Sequence, residues 1–288
     1  MSAPAGEPDT TSALTNIKPF SMNILFWNLR GNPISEYVKR CLIENQVDIA
    51  VFAEHRGIDF QALEREMDGF HYEGGIGGPG KIVLFASGAS VQAATYDDRY
   101  LICRVEYAGN RYILAGVHLQ DRWTRPESES AARMVIIRSL VKDVEALEAS
   151  YKCDRTIIIG DLNANPYDKE LLNADAFNAA LFKDVIRREE YRTVDRIKYR
   201  RFYNPVLHYL SEDSRTYGSY YHATDFASPV WHCLDQVLVR APLIDQIAGL
   251  KYLRRIGETD LIGAVKPKAK ISDHLPLLVK LNNLEGSK

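Results

Sequence analysis

The sequence predicts an α/β fold, a layered sandwich with mixed β-sheets inside and helices outside. Three observations predict it. Short apolar runs of strand length recur along the chain, stretches of helical apolar spacing separate several of them, and a hairpin signature interrupts the alternation. At 288 residues the chain is long enough to bury a large core. Apolar residues at 46% and charged residues at 26% are ordinary for a soluble globular protein.

Taken in order, residues 22–27 form a bulky apolar run that reads as a buried strand. It stops at Asn28-Leu29-Arg30-Gly31-Asn32-Pro33, whose Gly, Asn and Pro signal a turn. Ile34, Tyr37, Val38, Cys41 and Leu42 have the spacing of a helix over 34–44. A second strand, 47–53, then delivers Glu54 and His55. Residues 59–67 predict a short helix. The glycine cluster at 74–80 has no strand leading in and no helix leading out, so it reads as a surface loop and not as a phosphate cradle. A strand follows at 81–86. Strands at 100–107 and 112–118 flank Ala108-Gly109-Asn110, a hairpin signature in which Gly and Asn are expected to supply positive φ. A helix over 127–149 carries Met134, Ile137, Leu140, Val141, Val144 and Leu147 on one stripe. Strands at 156–160, 234–240 and 275–281 complete the core.

The stretch 182–209 differs. It sets Arg187, Arg188, Arg192, Arg196, Lys198, Arg200 and Arg201 among Tyr191, Tyr199, Phe202 and Tyr203. A net charge of -2 speaks against a uniformly basic nucleic-acid binder and leaves room for such local patches. Cys41, Cys103, Cys153 and Cys233 are widely spaced with no CxxC pair, which points to buried reduced thiols and away from structural zinc. Residues 1–20 are rich in Ala, Pro, Ser and Thr and lack the basic start and apolar core of a secretory signal. They are expected to form a disordered tail before one domain at 21–282. No apolar run approaches a membrane span, and a cytoplasmic protein is expected.

The chemistry lies in a repetition. Successive strand candidates end in polar groups suited to phosphate chemistry: Asn28, Glu54, His118, Asp161 with Asn163, and Asp273 with His274. One such ending is common loop chemistry, since Asp and Asn cap turns. Five such endings, seven residues in all, converging in one layered domain point to a site.

Trp27-Asn28, Glu54, His118-Leu119, Gly160-Asp161-Leu162-Asn163, Leu234-Asp235 and Ser272-Asp273-His274-Leu275-Pro276 together resemble the endonuclease/exonuclease/phosphatase superfamily, from about residue 22 to 281. The resemblance implies a four-layered αββα sandwich with the site at one edge of the paired sheets. It implies Glu54 as principal metal carboxylate, with Asn28 and Asp273 positioning the metal or its waters. A hard cation with oxygen ligands is Mg²⁺, with Mn²⁺ as a substitute. By the same resemblance Asp161 orients or deprotonates the attacking water and Asn163 holds a phosphate oxygen. His274 donates to the scissile phosphate with Asp235 as its partner, and His118 acts on the leaving oxygen. One departure stands out: the residue before Glu54 is Ala53, where the family commonly has Gln.

The expected activity is metal-dependent phosphodiester hydrolysis, with nucleic acid, DNA first, as substrate. Arg192, Arg196, Lys198 and Arg200 are candidate contacts to backbone phosphates, with the neighbouring Tyr and Phe stacking on unpaired bases. Arg122 and Lys270 are further candidate substrate contacts. A phosphatase or phosphodiesterase for small molecules or lipid headgroups is the enzymatic alternative, and a non-catalytic binding module is the alternative outside enzymology.

Overall fold

A computed structural model describes residues 21–74, 81–124, 126–210, 218–223, 230–263 and 271–282. The N-terminal tail and most of the glycine cluster therefore lie outside the described residues, as does Lys270.

Strand β1 (Ser21–Asn28) passes through α1 (Ser35–Glu44) to β2 (Ile49–Ala53), which lies parallel to β1. Then α2 (Phe60–Glu66) leads to the antiparallel pair β3 (Phe70–Gly74) and β4 (Ile82–Ser87). A meander of β5 (Ala89–Tyr96), β6 (Tyr100–Tyr107) and β7 (Asn110–His118) follows. Helix α3 (Pro126–Tyr151) crosses over to β8 (Thr156–Asp161), parallel to β7. After α4 (Lys169–Leu172), β9 (Ala179–Ala180) and α5 (Lys183–Arg188) comes a hairpin of β10 (Tyr191–Val194) and β11 (Ile197–Arg200). Short β12 (Phe202–Tyr203) and α6 (Val206–Leu210) precede a second small hairpin, β13 (Tyr220–Tyr221) with β14 (Trp231–His232). The chain closes with β15 (Asp235–Val239), β16 (Ile247–Tyr252), the pair β17 (Arg255–Ile256) and β18 (Thr259–Asp260), and β19 (Leu277–Asn282).

These strands make two mixed sheets, six-stranded β16-β19-β1-β2-β4-β3 and seven-stranded β5-β6-β7-β8-β15-β12-β9. They stack face to face between helices, the four-layered αββα sandwich. Central strands are buried along most or all of their length, which is why β1, β2, β4 and β8 read as apolar runs with little alternation. On the outer face of the seven-stranded sheet, Met134, Ile137, Leu140, Val144 and Leu147 of α3 are buried with Ile113, Ala115 and Ile158. On the six-stranded sheet Phe60 of α2 packs against Phe52 and Phe85.

Two glycines let backbones approach closely. A Cβ on Gly116 would stand 2.6 Å from Val51 Cγ1 and 2.9 Å from Ile82 Cγ2, across the gap between the sheets. A Cβ on Gly160 would meet the Val117 carbonyl oxygen at 2.0 Å, so only glycine fits beside β7 at that position.

Two expectations change. In the first hairpin the positive φ values fall on Ala108 (48°) and Gly109 (77°), while Asn110 already pairs with Tyr107. A two-residue turn needs both central residues left-handed, which moves the turn one residue earlier. Strands β3, β5 and β16 are additional to those expected. None is continuously buried, and β5 alternates small and polar residues.

Gly116→Val should destabilise by about 1–3 kcal/mol through overpacking between the sheets. Urea unfolding should show a lower midpoint at unchanged slope; an unchanged midpoint would refute the close approach.

Candidate active site

Sheet register assembles the site. Parallel pairing sets His118 of β7 beside Asp161 of β8, and antiparallel pairing sets Asp235 of β15 beside Asp161 on the other flank. Adjacent strands lie about 4.8 Å apart, so the three side chains form a row along one sheet edge. From the other sheet, β1 ends at Asn28, paired with Ala53 next to Glu54, and Ser272-Asp273-His274 leads into β19. The two edges meet.

The Asp161 Oδ2 atom is the common point. It lies 3.2 Å from Asn28 Nδ2, 3.8 Å from His118 Nε2 and 3.7 Å from His274 Nε2. Asn28 Nδ2 also donates to Glu54 Oε1 at 3.1 Å, and His118 Nε2 sits 3.2 Å from that same oxygen. His274 Nδ1 is 2.7 Å from Asp235 Oδ2. The loop ends are fixed by their own backbones. Asn163 N–H donates to Asp161 Oδ1 at 3.0 Å, while Asn163 Nδ2 donates to the Leu119 carbonyl at 3.0 Å. Ser272 Oγ donates to the Asn28 carbonyl at 2.6 Å and accepts from His274 N–H. Glu54 and Asn163 both adopt left-handed backbone, φ 47° and 46°, at a cost on the order of 1 kcal/mol or more each.

The electrostatics follow from burial and these partners. Hydrogen bonding from His118 outweighs desolvation at Glu54 and holds its carboxyl down at about 2. Burial pushes Asp161 above the usual carboxylate range, although both histidines oppose it. Burial alone would lower His274, but the Asp235 and Asp161 carboxylates prevail and raise it to about 10. At neutral pH His274 is thus an imidazolium whose Nδ1–H donates to Asp235 and whose Nε2–H faces Asp161 and the cavity. Asp161 is a buried acceptor of raised basicity.

These groups line a cavity of about 370 Å³. One wall is aromatic and was not anticipated. Trp123 stacks on Tyr220 at 5.0 Å and lies 4.4 Å from the His222 ring, and Tyr220 in turn stands 4.8 Å from His274. Tyr220 and His222 share a strand face by their two-residue spacing, the one signal the sequence offered. Their partner Trp123 sits far away in sequence. Buried Arg133, paired with Glu170 at 2.9 Å, holds the Trp123 loop by donating to the Gln120 and Asp121 carbonyls.

All eight expected catalytic and metal residues come together: Asn28, Glu54, His118, Asp161, Asn163, Asp235, Asp273 and His274. Of the expected substrate contacts, Arg122, Arg192, Arg196, Lys198 and Arg200 do not, and Lys270 lies outside the described residues. Arg200 reaches Glu190, Glu148 and Asp154 at 2.5, 3.4 and 3.0 Å, and Lys198 lines a separate depression with Glu145, Glu148 and Asp154. Glu148 accepts from Thr156, the first residue of β8, whereas the site lies at its last, Asp161, roughly 16 Å along the strand. Arg192 donates to the Leu172 carbonyl and Arg196 occupies the turn of the same exposed hairpin. Arg122 is spent on Asp168 at 2.8 Å.

The donors suit a hard cation. Four carboxylates, Glu54, Asp161, Asp235 and Asp273, gather at the site, faced by two histidines and the largely exposed Arg30. Glu54 and Asp273 offer carboxylate oxygens to the cavity with side chains 40% and 31% exposed, open to water as Mg²⁺ requires. Asn28 is engaged on both polar atoms, its Oδ1 accepting from Arg30 N–H, so it orients the carboxylates. Asp161, Asp235 and His274 also lie within 4.8 Å of one another, but the Asp235–His274 hydrogen bond already accounts for that closeness.

The model of the Endonuclease/Exonuclease/phosphatase family matches residues 25–274. No curated protein sequence matches the chain. Among solved structures, D. rerio TDP2 complexed with single strand DNA product is similar at TM-score 0.57 and 16% identity, covering 91% of this chain and 99% of that one. The human Nocturnin catalytic domain with bound sulfate anion has TM-score 0.57 and 14% identity, covering 92% and 94%. An AP endonuclease from Archaeoglobus fulgidus has TM-score 0.54 and 18% identity, covering 90% and 98%. At these identities the likeness is one of fold.

Asp235→Asn should lower the His274 pKa by more than one unit in the metal-free protein. In the native protein the raised pKa contributes stability that is fully present below about 6.5 and is lost as pH rises through about 10. Histidine NMR titration in EDTA reads both; a His274 pKa unmoved by the substitution would sink the pairing.

Proposed function

Because the chain belongs to the endonuclease/exonuclease/phosphatase family, we propose that it is a Mg²⁺-dependent hydrolase of phosphodiester bonds in nucleic acid, DNA first, with residues 21–282 as the catalytic unit. The observation that carries the hydrolytic reading is the Asp161 carboxylate set between two histidines at the floor of an open cavity. Asp161, buried and raised in basicity, orients the attacking water and accepts its proton. His274, held protonated by Asp235, donates from Nε2 to a non-bridging phosphate oxygen as charge builds there. The Asn163 side chain lies at the same floor and donates to a second oxygen. His118, oriented by Glu54, stands where it can protonate the leaving oxygen. Mg²⁺ bound by Glu54 and Asp273 would neutralise phosphate charge and stabilise the transition state.

Nucleic acid is favoured by the wall of Trp123, Tyr220 and His222. Flat rings beside a phosphate site suit an unpaired base, since each base–aromatic stack is worth about 1–3 kcal/mol. The TDP2 structure with single strand DNA product has the same fold around such a ligand. The four cysteines form no disulfide, in keeping with a reducing cytoplasm.

Asp161→Ala and His274→Ala should each lower kcat by at least about a hundredfold while melting near the wild-type temperature. The assay compares plasmid, single-stranded and abasic DNA, RNA, and inositol and lipid phosphoesters, with Mg²⁺ or EDTA. Wild-type rates in both variants would overturn the site. Hydrolysis of the small esters alone would replace the nuclease reading with a small-phosphoester one. Trp123→Ala should raise KM for single strands roughly tenfold, the loss of one stack.

A further inference from the structure

Beside the carboxylates stands a group of three cations, Lys81, Arg99 and Arg56. Glu54 N–H donates to the Lys81 carbonyl at 3.1 Å, and His118 N–H donates to the Arg99 carbonyl at 2.8 Å. Lys81 and Arg99 are therefore the immediate backbone neighbours of two site residues on adjoining strands. Arg56 follows Glu54 by two positions, and the Arg99 side chain lines the catalytic cavity.

None of these three forms an ion pair among the described residues. Arg122, Arg133, Arg138, Arg187, Arg200 and Arg240 by contrast each hold a carboxylate, and Arg192 and Arg196, which form no ion pair among the described residues, lie on the distant hairpin. Burial, then Arg99, and to a lesser degree Arg56, depress the Lys81 pKa, with Asp98 and Glu54 opposing. Three like charges gathered together raise the free energy of the free protein even with Asp98 and Glu54 nearby, and an anion placed among them relieves it.

Their position selects the anion. Arg99 immediately precedes β6, whose Tyr100 pairs with Val117 of β7. Along the sheet edge the order is thus Arg99, His118, Asp161, then Asp235 with His274. Arg99 lies two strands from the Asp161 floor, roughly 10 Å, a span that its long side chain and that of Lys81 shorten. Arg99 and the Asp235–His274 pair stand at opposite ends of that row, three strand spacings apart, so the Arg99 side suits the next phosphate of an extended strand. We propose that Lys81, Arg99 and Arg56 form a subsite for a second, non-scissile phosphate group on the Glu54–His118 side of the cavity. The assignment rests on the proposed nucleic-acid substrate. It replaces the distant basic hairpin at 191–200 as the backbone-phosphate contact and gives the strand a direction through the site, phosphate toward Arg99 and base toward Trp123.

The test is binding of a short fluorescein-labelled single-stranded DNA to the full chain in EDTA, followed by anisotropy across a range of NaCl concentrations. Neutralising one phosphate contributes a slope of about 0.7 in log affinity against log salt for single strands. The double variant Lys81→Gln/Arg99→Gln should lose about that much slope, whereas Lys81→Arg and Arg99→Lys should retain it. Lys198→Gln, on the distant hairpin, should match the wild type. A wild-type slope in the double variant overturns the subsite, and if Mg²⁺-dependent DNA cleavage persists the nuclease reading survives it. A reduced slope in a protein that cleaves no nucleic acid supports the subsite while refuting the hydrolytic reading. No binding by the wild type refutes the subsite outright.

Discussion

Burial of the Asp161 carboxylate is the constraint from which the rest of the site follows. A fully desolvated carboxylate is costly unless it is hydrogen-bonded and faced by positive charge. The fold answers with two hydrogen-bond donors, Asn28 from the opposite sheet and the Asn163 backbone from its own loop, and with a histidine ring 3.8 and 3.7 Å away on either side. Each donor sits at the end of a strand whose apolar interior fixes its register. A one-residue slip of β8 against β7 would turn Asp161 to the other face of the sheet and dissolve the site. Packing and chemistry are coupled through register, and Gly160 and Gly116 are where the coupling is tightest.

Much of this was legible in the sequence, for a definite reason. Strands buried on both faces must be continuously apolar, so β1, β2, β4, β7 and β8 announce themselves, and the first polar residue after each falls at the sheet edge. Asn28, Glu54, His118 and Asp161 were readable on that basis, and His274 as the last polar residue before the apolar run into β19. Edge strands such as β5, half-exposed and built on Ala, Ser, Gln and Thr, carry no such mark. Nor does the left-handed backbone of Glu54 and Asn163, which tertiary hydrogen bonds impose on residues with little local preference for it. The Trp123–Tyr220–His222 wall is invisible because stacking joins two distant loops.

The basic, aromatic stretch at 182–209 shows where composition misleads. Its arginines were expected to meet phosphates. Instead Arg200 joins Glu148, Asp154 and Glu190, and Arg240, completely buried under the Phe202 ring at 3.7 Å, joins Glu148 as well. The cluster ties β11 and β15 to the end of α3 and has no charge to spare. A cation that serves the fold and one that serves a ligand look identical in sequence. What separates them is what the fold places around them: carboxylates hold Arg200 and Arg240, and Arg192, Arg196 and Lys198 sit on a hairpin away from the site.

The two histidines divide along the same line. His118 gives its Nε2 to Glu54 and holds that carboxyl at about 2, a carboxylate kept ionised and ready for a cation. His274 receives Asp235 on Nδ1 and is held as an imidazolium, a donor ready for an anion. The difference arises from which nitrogen the carboxylate engages and how deeply it is buried: Asp235 is wholly enclosed, whereas Glu54 is partly open to water. A closed carboxylate commits its charge to the ring beside it. An open one keeps charge available for the cavity. With Asp161 between them, a carboxylate open to a cation and an imidazolium ready for an anion stand within two strand spacings of each other, the arrangement needed to grip a phosphodiester and aim water at it.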